Sequence, residues 1–289
     1  MPLSLSPTET GLSCLSSLSL RAALQPLLVI ASDGRERGNP WCSLYIQRVV
    51  RGLKKSNCSG PHRSLKRRIA IKKRAFNLEE EALLASGIQE RSKIEFYVVE
   101  LSRIYRQFLH QMILPPDPVD KARALFTWLW TSKPDRYKSQ GSYKLNEVIE
   151  AQFTENAKSV GNCLGLTLLY NCLVRKMDIY AEALYLENAF GTGPHVLTLL
   201  QIEKSIIDVE NILPDGFNYG GHHTHPERIG WGDRELIADI YHSVANESFG
   251  EGDFSEALKN YDIAIRFNPR YEKAHLNMAI LLDRMGKGR

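Results

Sequence analysis

No apolar run in the 289 residues approaches the roughly 18 to 20 residues needed to cross a bilayer. The Leu-rich stretch from Leu24 to Ala31 is interrupted by Gln25 and Pro26, so no membrane association is expected. Cysteine is scarce too. Cys14, Cys42, Cys58, Cys163 and Cys172 are odd in number and lack CxxC spacing, which argues against a disulfide framework and against a cysteine-type zinc site. A reducing, cytoplasmic setting follows as the simpler expectation. Acidic residues are almost missing from residues 1–76: Glu9, Asp33 and Glu36 face 14 Lys and Arg, giving +11, so the overall +4 leaves −7 for the remainder.

That basic arm has two parts. Residues 1–38 are rich in Ser and Leu and show no sustained period, so disorder is expected. The first positive charge, Arg21, lies inside the segment and not ahead of it, so the order of a secretory signal is absent. An acid-poor start containing Arg suits an organelle transit segment or an over-extended start codon equally. The run from Arg63 to Arg74 is dense enough to attract polyanions. It lacks aromatic residues that would stack on bases, and it reads as a solvated linker with no nucleic-acid partner.

From Leu78 the texture becomes periodic. Helices are expected over Glu79–Ser86, Ile94–Gln111, Pro118–Trp130 and Leu145–Phe153, the third carrying Leu125, Phe126 and Leu129 at i, i+1 and i+4 after Pro115, Pro116 and Pro118 break the chain. After Tyr180 the pattern turns strand-like, over Ala181–Glu187, His195–Gln201 and Ser205–Asn211, with Gly191-Thr192-Gly193-Pro194 and Glu203-Lys204 as turns. Helices followed by short antiparallel strands indicate an α+β domain. Trp128 and Trp130 precede the motif region and read as core.

Between these halves lies Gly161-Asn162-Cys163-Leu164-Gly165-Leu166-Thr167-Leu168-Leu169-Tyr170. Asn162 is a good N-cap, which leaves Cys163 at the first helical position. There the helix dipole favours the thiolate over the thiol, and the free amides of the first turn can stabilise an oxyanion. Cys172 lies roughly 13 Å further along the helix axis and reads as core.

A cysteine at a helix start is a weak signal until partners appear. His195 opens a strand after Gly193-Pro194, and Asp208 sits in the apolar run Ile206-Ile207-Asp208-Val209, where an unpaired carboxylate is costly. In a hairpin of those strands, any register whose paired numbers have an odd sum puts His195 and Asp208 on one face. Asp208 opposite His195 would then orient the imidazole, and His195 would take the proton from Cys163. In Gly220-Gly221-His222-His223-Thr224-His225 the histidines invite a metal reading. With no cysteine or spaced fourth ligand nearby, the segment reads instead as a loop at the cleft mouth, and no metal or cofactor is expected.

Near the C-terminus, Tyr241, Val244, Ala245 and Gly252 are followed 34 positions later by His275, Met278, Ala279 and Gly286. With Ala257, Tyr261, Ala264 and the closing Pro269, this is the phase of a tetratricopeptide repeat, present about one and a half times. Such units do not bury their faces alone. They are expected to pack on the preceding domain.

The stretch Gly161–Tyr170, then Pro194-His195-Val196, then Ile207-Asp208-Val209-Glu210, resembles the Cys, His, Asp core of the transglutaminase-like superfamily, especially its bacterial members with C-terminal tetratricopeptide repeats. The resemblance covers roughly Leu114 to Gly286. It implies a papain-like α+β fold without a cofactor, in which Cys163 is nucleophile, His195 general base, Asp208 its orienter, and Asn162 a cap or oxyanion support. The expected organisation is therefore a basic arm over 1–76, a transglutaminase-like domain over 77–232 and repeats over 233–289. Acyl chemistry through a thioester on a protein or peptide substrate is the expected activity. The acidic clusters of the calcium-dependent cross-linking enzymes are not visible, so cross-linking is disfavoured. The competing expectation is a non-catalytic scaffold whose repeats dock a partner protein.

Overall fold

The computed structural model describes residues 76–286. Residues 1–75 of the basic arm, with its expected disorder and Cys14, Cys42 and Cys58, lie outside the described residues. Helices α1 (Leu78–Ala85), α2 (Arg91–Gln111), α3 (Pro118–Ser132), α4 (Leu145–Phe153) and α5 (Cys163–Arg175) come first. Strands β1 (Tyr180–Ala189), β2 (Gly193–Ile202), β3 (Ser205–Val209) and β4 (Arg228–Trp231) follow, and helices α6 (Asp233–Glu251), α7 (Phe254–Phe267) and α8 (Glu272–Arg284) close the described chain. The fold class is helix with an antiparallel sheet, in the order expected.

Helix starts follow their caps. The Asn77 side chain accepts from the Glu79 amide at 3.0 Å. Asp117 accepts from Val119 and Asp120 at 2.8 and 3.0 Å, directly before Pro118, whose missing N–H costs nothing at that position. α5 is buried from Leu164 through Val174, on every face. That is why its sequence shows no polar stripe, and it makes α5 the post around which the other elements pack. Tyr170 anchors it to α3 by donating to the Ala122 carbonyl at 2.9 Å. Trp128, buried, donates to Gln111 at 2.7 Å, consistent with a packing role.

The sheet runs β3-β2-β1-β4, antiparallel throughout. Pro194 has no amide to give the ladder, and the β1–β2 register shifts there, between the pairs Ala189–Gly193 and Leu186–His195. β4 was not legible, since its four residues carry too little alternation. β3 ends at Val209, two residues before its expected end, because the Glu210 amide turns away to the Gly216 carbonyl at 2.8 Å.

A buried polar network locks α5 to the sheet. Thr198 donates to Asn171 at 2.6 Å, and Asn211 donates to Thr198 at 2.9 Å and to Thr167 at 3.3 Å. Each group is fully buried or nearly so, so the network is costly to leave half-made and thereby selects one helix-to-sheet register. The last three helices pack onto the same body. Trp231 stacks on Tyr185 with centroids 4.1 Å apart and meets Tyr271 edge-on, while Lys273 pairs with Glu187 at 2.8 Å. Among the described residues no helix is long and apolar enough to cross a membrane.

Candidate active site

The start of α5 is built by its surroundings. Asn162 caps the helix, its side-chain oxygen accepting from the Gly165 amide at 3.1 Å and its carbonyl from Leu166 at 2.9 Å. Those bonds use the third and fourth amides of the turn, which leaves Cys163 and Leu164 at its open end. The residues before the cap are pinned as well: the Asn162 amide donates to Ser142, and the Val160 amide to Arg136 at 2.8 Å. Gly165 is required here, since a Cβ on it would lie 2.4 Å from the Ser142 carbonyl oxygen. Cys163 is half-buried and Cys172 buried, and both are free thiols. Burial pushes the Cys172 thiol far up, so it stays protonated and inert.

His195 is the third residue of β2 and faces the same cleft as Cys163. Its Nε2 lies 2.8 and 2.9 Å from the two carboxylate oxygens of Glu210, which leaves Nδ1 for the sulfur. Burial opposes a charge on this imidazole, but the hydrogen bonds to Cys163 and Glu210 outweigh it and push the pKa up to about 9. Burial likewise raises the Glu210 pKa, yet hydrogen bonds from His195 and His222 prevail and hold it below the usual carboxylate range. The charged pair is the favoured state of this buried site.

The acid on His195 is therefore Glu210 and not Asp208. The β2–β3 register does put Asp208 on the expected face, but opposite Leu199, four residues along from His195. Asp208 is buried, as its apolar flanks required, and its partner is Arg228, whose guanidinium donates two bonds at 2.7 and 3.0 Å. Arg228 also donates to the His222 carbonyl at 2.9 Å. This pair clamps the strand to the histidine segment and does not touch the imidazole of His195. Glu210 shares the parity of Asp208 in the sequence. What the sequence conceals is the loop that folds Gly216 back against it, where a Cβ would lie 2.0 Å from the Glu210 carbonyl oxygen.

The histidine segment is also more than a loop. Gly220–His222 forms one short 3-10 turn, which buries His222 and sets its Nε2 3.0 Å from Glu210. His223 is half-exposed, 3.8 Å from Asp208, and His225 bonds the Asn188 carbonyl at 2.8 Å. The three histidines have different partners, and His222 is the one that joins the site. Its nitrogen, the His195 nitrogen and a Glu210 oxygen lie within 4.8 Å of one another, a set able to hold a metal ion that the histidine triplet alone did not suggest.

Cys163 and His195 line a cleft of about 210 Å³, with Asn162, Tyr185 and Pro194 on one side and Asp239, His242, Asn246, Tyr271 and Lys273 on the other. No family of proteins, no curated protein and no solved structure matches this chain. The geometry alone carries the argument. The far wall belongs to α6 and α8 and is polar: Asn277 bonds His242 and Asn246, both at 3.0 Å, and Tyr271 donates to Asp239 at 2.5 Å. A larger, shallower groove of about 560 Å³ lies by Arg175 and Asp233, but those side chains neutralise each other at 2.6 Å and no nucleophile faces it.

Proposed function

We propose that the chain performs cysteine-nucleophile acyl chemistry, as an amide or peptide hydrolase or an acyl transferase, on a protein or peptide substrate. The observation that carries this reading is that His195, bonded to the buried carboxylate of Glu210, lines one cleft with the half-buried Cys163. His195 serves as the base that takes the proton from the Cys163 thiol. The sulfur attacks the acyl carbonyl carbon, the C=O electron pair moves to oxygen, and His195 gives its proton to the departing amine as the C–N bond breaks. Water or a second amine then attacks the thioester, His195 takes the proton back, and sulfur leaves. The amides of Cys163 and Leu164 and the Asn162 side chain are the proposed donors to the oxyanion. Glu210 holds the tautomer and charge of His195, the part that the sequence assigned to Asp208.

The papain-like, transglutaminase-type architecture belongs to this proposal, supported by the order of nucleophile helix, histidine strand and acid. Tetratricopeptide repeats in the last three helices belong to it as well. Their support is that Gly252 and Gly286, 34 positions apart, both end helices with left-handed backbone, at φ 83° and 67°. Because α6 and α8 wall the cleft, these helices would present the substrate and not only dock a separate partner. A cytoplasmic setting fits two free thiols, one of them required unoxidised.

Iodoacetamide alkylation of Cys163 near neutral pH tests the reading. His195→Ala should lower the rate at least ~10-fold, and Cys163→Ala supplies the blank. A thiol indifferent to the loss of His195 would turn the interpretation to a non-catalytic scaffold, for which the polar wall of α6 and α8 is the surface to probe.

A further inference from the structure

Acyl transfer through His195 uses one imidazole, and one carboxylate orients it. The second imidazole on Glu210 has no part in that relay, yet His222 is as deeply buried as His195. We infer that His195, Glu210 and His222 form a binding site for a zinc-class divalent cation. Zinc takes nitrogen and oxygen donors at about 2.0–2.2 Å, so neighbouring donors around a tetrahedral ion stand about 3.3 Å apart. The Nε2-to-carboxylate separations of 2.8 and 3.0 Å need to widen by only a few tenths of an ångström. Two imidazoles and one carboxylate suit zinc and its transition-metal neighbours, whereas calcium and magnesium demand oxygen.

The supporting shell is in place. The carbonyl of His222 is held by Arg228, which is itself held by the buried Asp208, so the backbone that carries this donor is fixed. Phe190 and Tyr219 close over His222, with ring centroids 4.8 and 5.0 Å away, and limit access of water. On binding, the two Nε2 lone pairs and the carboxylate coordinate the cation. Any Nε2 proton departs to solvent or moves to Nδ1, and no oxidation state changes. Three protein donors leave a fourth position for water.

The consequence for Cys163 rests on the acyl-transfer reading. With Nε2 on the metal, the proton on Nδ1 is fixed, and His195 no longer shuttles a proton to and from the sulfur side. Bound zinc would therefore be a reversible off-state of the enzyme.

The test is titration of the full chain, first stripped with a chelator, with Co²⁺ followed by visible absorption and with Zn²⁺ followed by calorimetry. One ion per chain is expected, with affinity lowered at least ~10-fold in His222→Gln, which keeps an N–H for Glu210. Glu210→Gln serves as the second variant should the first not fold. Cys163→Ala, and the exposed pair His223→Ala with His225→Ala, should bind as the wild type does. Binding that survives both His222→Gln and Glu210→Gln, that vanishes with His223 and His225, or that is absent at micromolar metal would overturn the site. Alkylation of the metal-free chain separates the two ideas. A reactive Cys163 without metal binding removes only the metal site, and metal binding beside an inert thiol removes the acyl reading and leaves the site standing.

Discussion

Strand β3 and the turn after it bury one carboxylate each, two residues apart, and the two have opposite characters. Asp208 is held by a guanidinium that stays charged at every relevant pH, with the imidazole of His223 further off at 3.8 Å. Glu210 sits between two imidazoles, groups that can gain or lose a proton. The first arrangement is a fastener, and the second is one that can take part in chemistry. Burial of an acid beside an apolar strand does not by itself distinguish them. The nature of the partner does.

The largest effect that would break the comparison concerns thiol reactivity. Glu210→Gln should slow alkylation of Cys163 by about 10-fold, while Asp208→Asn should change it by less than about 2-fold, because only Glu210 touches His195. Equal effects would erase the distinction. Next is stability. Asp208→Ala strands Arg228 beside a buried cavity and should cost about 3 kcal/mol in denaturant unfolding, at the low end for a broken buried pair because the guanidinium is partly exposed. Gly216→Ala should cost about 2 kcal/mol and, unlike Asp208→Ala, should also depress alkylation, since the new methyl displaces the Glu210 backbone. Asn211→Leu should cost about 1–2 kcal/mol by removing the donor that the buried hydroxyl oxygens of Thr198 and Thr167 accept from.

The smallest effect is the pH dependence of the thermal midpoint. His195 is raised in the folded chain from its ordinary 6.5 to about 9, so its contribution is complete below about 6.5 and is lost as the pH rises through about 9. Glu210 is lowered from 4.5, so its contribution is present above about 4.5 and is lost as the pH falls through the lower folded value. Stability from this site should be greatest between those limits. Glu210→Gln should flatten both slopes, and Asp208→Asn should leave the alkaline slope as it is.

By itself the sequence determined the elements other than β4, and their order. The cap at Asn162, the prolines before α3, the mostly apolar run of α5 and the strand-like runs of β1 and β2 with the turn between them are local signals, each acting over a few residues through backbone hydrogen bonding and burial. They located Cys163 at a helix start, and His195 at a strand start beside it. The choice between Asp208 and Glu210 was not local. Both acids have the same parity, and which one reaches the imidazole depends on how far β2 slides against β3 and where the chain leaves the ladder. Packing settled that through the Thr198, Asn171 and Asn211 network and through the approach of Gly216. The entry of His222 was likewise decided by tertiary structure, since burial of one histidine out of three follows from the Arg228 clamp, twenty residues from its acid. Long-range pairing is set by burial energy summed over the whole core, and no window of sequence carries that sum.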